Sequence, residues 1–128
     1  MILDSSAIVG IVLREPGFEA LVRQVAQASA VGVGAPTLVE TGIVLTARLG
    51  RDARGLLQGL LREWDAATVA FGEEHWREAV TAYDRFGRGR HEAQLNFGDC
   101  MAYAVAKLAG EPLLCSGGDF PKTDLTLA

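Results

Sequence analysis

The chain has 128 residues, a formal net charge of −4 from twelve basic and sixteen acidic side chains, and 49% apolar residues. Its length, with no linker or compositional break, predicts a single domain over residues 1–128 with its own core, while its charge excludes a basic scaffold that coats nucleic acid by bulk attraction. No run nears the roughly 18 apolar residues of a membrane span, and the opening MILD has no basic segment of a signal peptide, so a soluble, cytoplasmic protein with no membrane partner is expected.

Met1-Ile2-Leu3 is a short apolar run ending at Asp4, after which Ser5 or Ser6 can start a helix over SSAIVGIVLRE. Pro16-Gly17 breaks the chain, and FEALVRQVAQAS then places Phe18, Leu21, Val22 and Val25 on one helical face. VGVGAP, residues 31–36, reads as a second buried strand ended by proline, followed by a helix from Thr37 to Leu49 and another from Ala53 to Asp65. ATVAF, residues 67–71, reads as a third strand; Glu73 to Phe86 has helical spacing at Trp76, Val80 and Tyr83. An Arg/Gly-rich connection leads to a helix starting near Asp99, and Pro112 to Cys115 reads as a fourth strand with SGGDF at its end. Strands separated by helices predict an α/β fold, a parallel sheet covered on both faces.

Ligands bind such sheets beyond the carboxyl ends of their strands. Asp4 ends the first strand, Glu40 lies one turn into the helix after the second, Asp119 follows the fourth, and Asp99 opens a helix that can reach the same edge. Glu40 interrupts the apolar run TLVETGIVLTARL, so it either needs a compensating partner or sits at the solvent edge of the stripe. Asp4 and Asp99 taken singly are ordinary strand-end and helix-cap acids. Together, four converging carboxylates repel one another unless a hard cation lies among them. Mg²⁺ suits oxygen ligands, retained water and substrate phosphate, and Mn²⁺ substitutes for it. Such a site performs hydrolytic phosphoryl transfer. Competing signatures, GxxxxGK[ST], GxSxG and HExxH among them, are absent.

Arg85, Arg88 and Arg90 form a basic cluster that either neutralises phosphates of a bound strand beside the metal or is simply a solvated loop. Ser6 and Asn96 either orient the carboxylates and a bound water or serve as caps. His75 and His91 read as capping or packing residues, and Cys100 and Cys115 as small buried apolar ones.

MILDSSAIVGIVLREP, the helix carrying Glu40, and LNFGDCMAYAVAKLAGEPLLCSGGDF with KTDL behind it resemble the PIN domain of VapC-type toxins over nearly the whole chain. The resemblance implies a three-layer α/β/α sandwich with a mostly parallel sheet of about four to five strands. It also implies a Mg²⁺-dependent endoribonuclease leaving 5′-phosphate and 3′-hydroxyl ends, restrained by a cognate VapB-type antitoxin and assembled as a homodimer. The family's acids match Asp4, Glu40, Asp99 and Asp119, all as metal-site and catalytic residues, and Ser6 matches the hydroxyl residue after the first acid. A further family acid falls on Gly117 here, with Asp124 the candidate to replace it. Two alternatives share the fold: a PIN nuclease of RNA processing or DNA repair, and an interaction module whose chemistry has lapsed. A receiver domain lacks its acidic pair at position 5, which is Ser, and a dehalogenase-like phosphatase lacks its second acid at position 6, also Ser. Ile8, Val12, Phe18 and Leu21 are read either as antitoxin-facing surface or as core.

Overall fold

Four short strands, β1 (Ile2–Leu3), β2 (Gly32–Gly34), β3 (Ala67–Val69) and β4 (Leu113–Leu114), lie side by side in the order β3-β2-β1-β4, every pair parallel. They are described by a computed structural model covering residues 1–128. Six helices connect them: α1 (Ser5–Val12), α2 (Phe18–Gln27), α3 (Ala35–Leu49), α4 (Arg54–Glu63), α5 (Glu73–Phe86) and α6 (Phe97–Ala109). Leu127 adds a parallel bridge to Leu113, so the C-terminal residues extend the β4 edge of the sheet.

The alternation of side chains along a strand sends Ile2 and Leu113 to one face and Leu3 and Leu114 to the other. The first face packs against α5 and α6 through Ala82, Phe86, Tyr103 and Val105. The second packs against α1, α2 and α4 through Ile8, Val25 and Leu57. A sheet buried on both faces needs apolar residues at successive positions, which is why its strands read as unbroken apolar runs. The three-layer α/β/α expectation is met. Ile8 is fully buried and belongs to the core.

Several boundaries differ from the sequence reading: α1 stops at Val12, α4 spans only Arg54–Glu63 and β4 only Leu113–Leu114. Three further differences have a plain cause or bear on the site. Ala35 and Pro36 belong to α3 and not to the strand before it, because a proline in the first helical turn has no N–H that the helix needs. The third strand stops at Val69. Asp99 is not the cap of α6: Asn96 is, with its side-chain oxygen accepting from the Asp99 amide at 2.9 Å while the Asp99 carboxylate accepts from the Asn96 amide at 3.0 Å. This reciprocal box satisfies two otherwise unpaired donors and locks Asp99 onto the start of the helix. No helix is long and apolar enough to cross a membrane.

Candidate active site

In the order β3-β2-β1-β4 the chain moves from β1 to β2 and β3 on one side, then crosses to β4 on the other. The loops leaving β1 and β4 therefore diverge, which opens a crevice at the carboxyl edge between them. Asp4 follows β1 directly, and the loop carrying Ser116 to Asp119 follows β4.

Asp4 caps α1 and is only 3% exposed. Its Oδ2 accepts from the Ser6 amide at 3.0 Å and from the Ser6 hydroxyl at 2.6 Å. The same hydroxyl accepts from the Ser116 amide at 2.9 Å, so Ser6 ties the acid to the loop after β4. Oδ1 is buried with no hydrogen-bond partner in the protein. Leaving such an atom unpaired costs about 1–3 kcal/mol, more if charged. Burial pushes the Asp4 carboxyl above the usual range, against the lowering effect of the Ser6 hydrogen bonds.

Asp99 stands in the first turn of α6, and its carboxyl is pushed up to about 6. Burial is the main cause, opposed by the Asn96 amide and reinforced by the negative charges of Asp4, Glu40 and Asp119. Asp4, Glu40 and Asp119 are thus each close enough to act on Asp99. Glu40 reaches this group from α3 by lying across the first turn of α6: a methyl group on Gly98 would overlap the Glu40 carboxylate. Glu40 is itself only partly buried; of the apolar residues one turn on, Ile43 is 65% exposed and Val44 lines the cleft beside it. It is the absence of a side chain at position 98 that makes room for Glu40.

Glu40, Ser6, Ser116 and Gly117 line a cleft of about 380 Å³, together with Glu15, an acid that sequence pattern did not single out. Nothing local marks Glu15, which precedes a Pro-Gly turn and enters the cleft only because α1 packs on α3. Gly117 has φ 94°, a left-handed conformation that disfavours an acid there.

A divalent cation fits this donor set. The unpaired, buried Asp4 Oδ1 is a ligand atom without a protein partner, and the mutual repulsion at Asp99 is what a positive charge would relieve. No three of these side chains are arranged to hold an ion by themselves.

The structure sends other candidates elsewhere. Asp124 is drawn away from the acids by a positive cluster: its carboxylate accepts from Tyr103 Oη at 2.6 Å, Lys107 Nζ at 2.9 Å and Arg85 at 3.3 Å. It therefore does not replace the acid absent at Gly117; it anchors the C-terminal segment to α5 and α6. Burial raises its carboxyl, but the Tyr103, Lys107 and Arg85 contacts outweigh this and hold it at about 2. Arg85 is committed to that anchor, and Arg90 pairs with Asp84 at 2.7 Å. Arg88 has no ion-pair or hydrogen-bond partner for its side chain and lines a groove beside Asn96 and Phe97. His75 caps α5 by accepting from the Gly72 amide, and His91 accepts from the Ala93 amide beside the Phe86 ring. Burial, reinforced by nearby carboxylates, pushes the Cys100 and Cys115 thiols up to about 11, which fits packing roles.

A folded pKa below the ordinary value stabilises the fold above that value and stops doing so as pH falls through about 2. Asp124→Asn is accordingly expected to cost about 1 kcal/mol at pH 7, an amount reduced by solvent screening of this partly exposed pair, and progressively less below pH about 4. Whatever the acid site does should be unchanged. Thermal melts across pH check the first expectation, and loss of that activity in a folded variant would return Asp124 to the site.

The PIN domain family model matches residues 1–125. Ribonuclease VapC36 of Mycobacterium tuberculosis is 46% identical over 126 residues, covering 98% of this chain and 91% of that one. The chain belongs to the PIN-domain family, among the VapC ribonucleases. Ribonuclease VapC of Mycolicibacterium smegmatis is 39% identical over 125 residues, covering 98% and 97% of the two chains. Among solved structures, the VapC20 toxin of Mycobacterium tuberculosis superposes with a TM-score of 0.80 at 18% identity, covering 99% of this chain and 97% of that one. A toxin–antitoxin complex from Klebsiella pneumoniae gives 0.70 at 13% identity, covering 99% and 95%. These two likenesses concern the fold. As a VapC ribonuclease with a PIN nuclease domain, the chain is a hydrolase of phosphodiester bonds.

Proposed function

We propose that this protein is the toxin of a toxin–antitoxin pair, an endoribonuclease that cuts RNA with a divalent cation held by Asp4 and Asp99, with Glu40 and Asp119 holding it directly or through water. The observation that carries the reading is the buried, unpartnered Oδ1 of Asp4, in a group of acids whose charges raise Asp99. When bound, Mg²⁺ or Mn²⁺ supplies charge neutralisation at the phosphate and lowers the pKa of water.

The chain's own residues supply position. Ser6 fixes the orientation of the Asp4 carboxylate and ties it to the loop after β4. The Asn96–Asp99 box fixes the Asp99 carboxylate on α6. Glu40 faces the open cleft, where it can hold a water for attack on the phosphorus and take its proton. Asp119 is exposed on the loop after β4, at the start of a short 3-10 turn anchored by the buried Phe120, where its carboxylate is open to a bound cation. The partners are single-stranded or looped RNA and a cognate antitoxin, the latter supported by the toxin–antitoxin complex among the structural neighbours. Assembly as a homodimer in the cytoplasm belongs to the same reading.

Purified antitoxin-free protein, incubated with a panel of structured cellular RNAs, should cut at discrete sites with Mg²⁺ or Mn²⁺ and not with chelator. The new ends should carry 5′-phosphate and 3′-hydroxyl. Cutting that persists in chelator, or none by a folded chain that binds Mg²⁺, would overturn the reading; the second result would favour a module whose chemistry has lapsed, consistent with Gly117 in place of an acid.

A further inference from the structure

The largest groove on the molecule, about 740 Å³, lies between α5 and α6 and is separate from the acid cleft. Helical spacing of Trp76, Val80 and Tyr83 suggests a core-facing stripe, yet Trp76 is 47%, Val80 59% and Tyr83 47% exposed, and all three line this groove. Across from them stands Phe97, 82% exposed, in the first turn of α6. An aromatic ring that open on a helix otherwise rich in buried residues gains nothing from the fold. It is two residues from Asp99, and Asn96, which locks Asp99 in place, lines the same groove. One end of the groove therefore lies beside the first turn of α6, where Asp99 stands, although no acid of the site lines it.

Arg88 is the sole charged residue lining the groove and has no ion-pair partner. Arg77 lies over the Trp76 ring at 4.6 Å and Arg90 near the Tyr83 ring at 5.7 Å, but both are already paired, with Glu73 and Asp84. Aromatic rings open to solvent around one unpaired arginine, beside the helix start that carries Asp99, match single-stranded RNA, whose unstacked bases lie on π-faces while an arginine meets the backbone.

We propose that the α5–α6 groove is a base-stacking platform for the RNA segment flanking the scissile phosphate, with Phe97 as its main stacking surface and Arg88 as its phosphate contact. This rests on the nuclease reading of the acid site and names where the neighbouring nucleotides lie. Discrimination among cleavage sites then comes from how well the flanking base stacks and from its ability to leave its own stack, not from bulk charge, which is negative.

Short single-stranded RNA oligonucleotides of randomised sequence carrying one 2-aminopurine, with Asp99→Asn protein in Mg²⁺ so that no cutting occurs, provide a direct probe. Binding should quench the fluorophore. Phe97→Leu, which keeps apolar bulk but removes the π-face, should weaken binding about ten-fold and abolish most of the quench, whereas Phe97→Trp should retain both. Arg88→Ala should weaken binding and lower the salt slope by about one. In the cutting protein, Phe97→Leu should raise KM with kcat largely kept and flatten the choice of cleavage sites. Equal binding and quench by Phe97→Leu overturns the proposal, as does failure of every oligonucleotide to bind. Sedimentation showing that Phe97→Leu splits a dimer also overturns it, since a second copy would then occupy the groove. Quench lost in Phe97→Leu while the Asp99 parent cuts no RNA would leave the platform standing and remove the nuclease reading.

Discussion

Asp99→Asn is expected to reduce RNA cleavage by more than about 100-fold, beyond the 10–100-fold that follows loss of an outer partner of a metal ligand. The same substitution should make the metal-free protein more stable at neutral pH. Asn keeps the side-chain oxygen that accepts from the Asn96 amide, so the capping box survives. What disappears is a carboxylate raised to about 6 by burial and by Asp4, Glu40 and Asp119. An acid whose folded pKa exceeds its unfolded value stabilises the fold fully below the unfolded value, near 3.8, and loses that contribution as pH rises through about 6. At pH 7.5 the ionised side chain is therefore a liability that the variant lacks. Discounted for its partial exposure, the gain is about 1–2 kcal/mol, seen as a rise in Tm of about 3–6 °C, and it should fade between pH 6 and 4. Adding Mg²⁺ should raise the Tm of the unmodified protein more than that of the variant. A variant that cuts RNA normally, or that is less stable than its parent at pH 7.5 without metal, would remove Asp99 from the site as described.

Gly98→Ala separates activity from stability in a different way. A methyl group there would stand 2.9 Å from Glu40 Cδ and 3.1 Å from Oε1, with Oε2 closer still. These atoms are the free end of a flexible side chain, so the carboxylate swings aside and the backbone stays. Alanine in a helix is better than glycine by up to about 1 kcal/mol, and the melting temperature should hold or rise slightly. Cleavage should nonetheless fall by about 100-fold, the penalty for moving a reacting group by roughly 1 Å. Thermal melts beside cleavage rates decide the matter. Wild-type cutting by Gly98→Ala would mean that Glu40 does not need the place it occupies on α6.

The contrast between Asp119 and Asp124 shows where sequence pattern stops. Both acids follow β4; the pattern places Asp119 at the strand end but does not say whether Asp124 joins it in place of the acid absent at Gly117. The choice is made by α6, which presents Tyr103 and Lys107 to Asp124, and by α5, which adds Arg85. The three arginines are divided in the same manner: Asp124 and Asp84 engage Arg85 and Arg90, and Arg88 is left without a partner. Likewise, spacing made a helix of Glu73 to Phe86 with the right limits, but an apolar stripe at helical period reads the same whether it meets the sheet or lines an open groove.

The sequence by itself determined the short apolar strands, the helices between them, their parallel pairing, and the placing of Asp4, Glu40, Asp99 and Asp119 at strand ends and helix starts. Those features depend on hydrophobic period, turn residues and capping chemistry, which act over a few neighbouring positions. Only the tertiary structure decided that Glu40 rests on Gly98, that Glu15 enters the cleft, that Asp124 leaves it, and that Trp76, Tyr83 and Phe97 stay open to solvent. Each depends on which helices the crossovers of the sheet bring together, and the energy of a charge or an aromatic ring is set by neighbours far away in the chain.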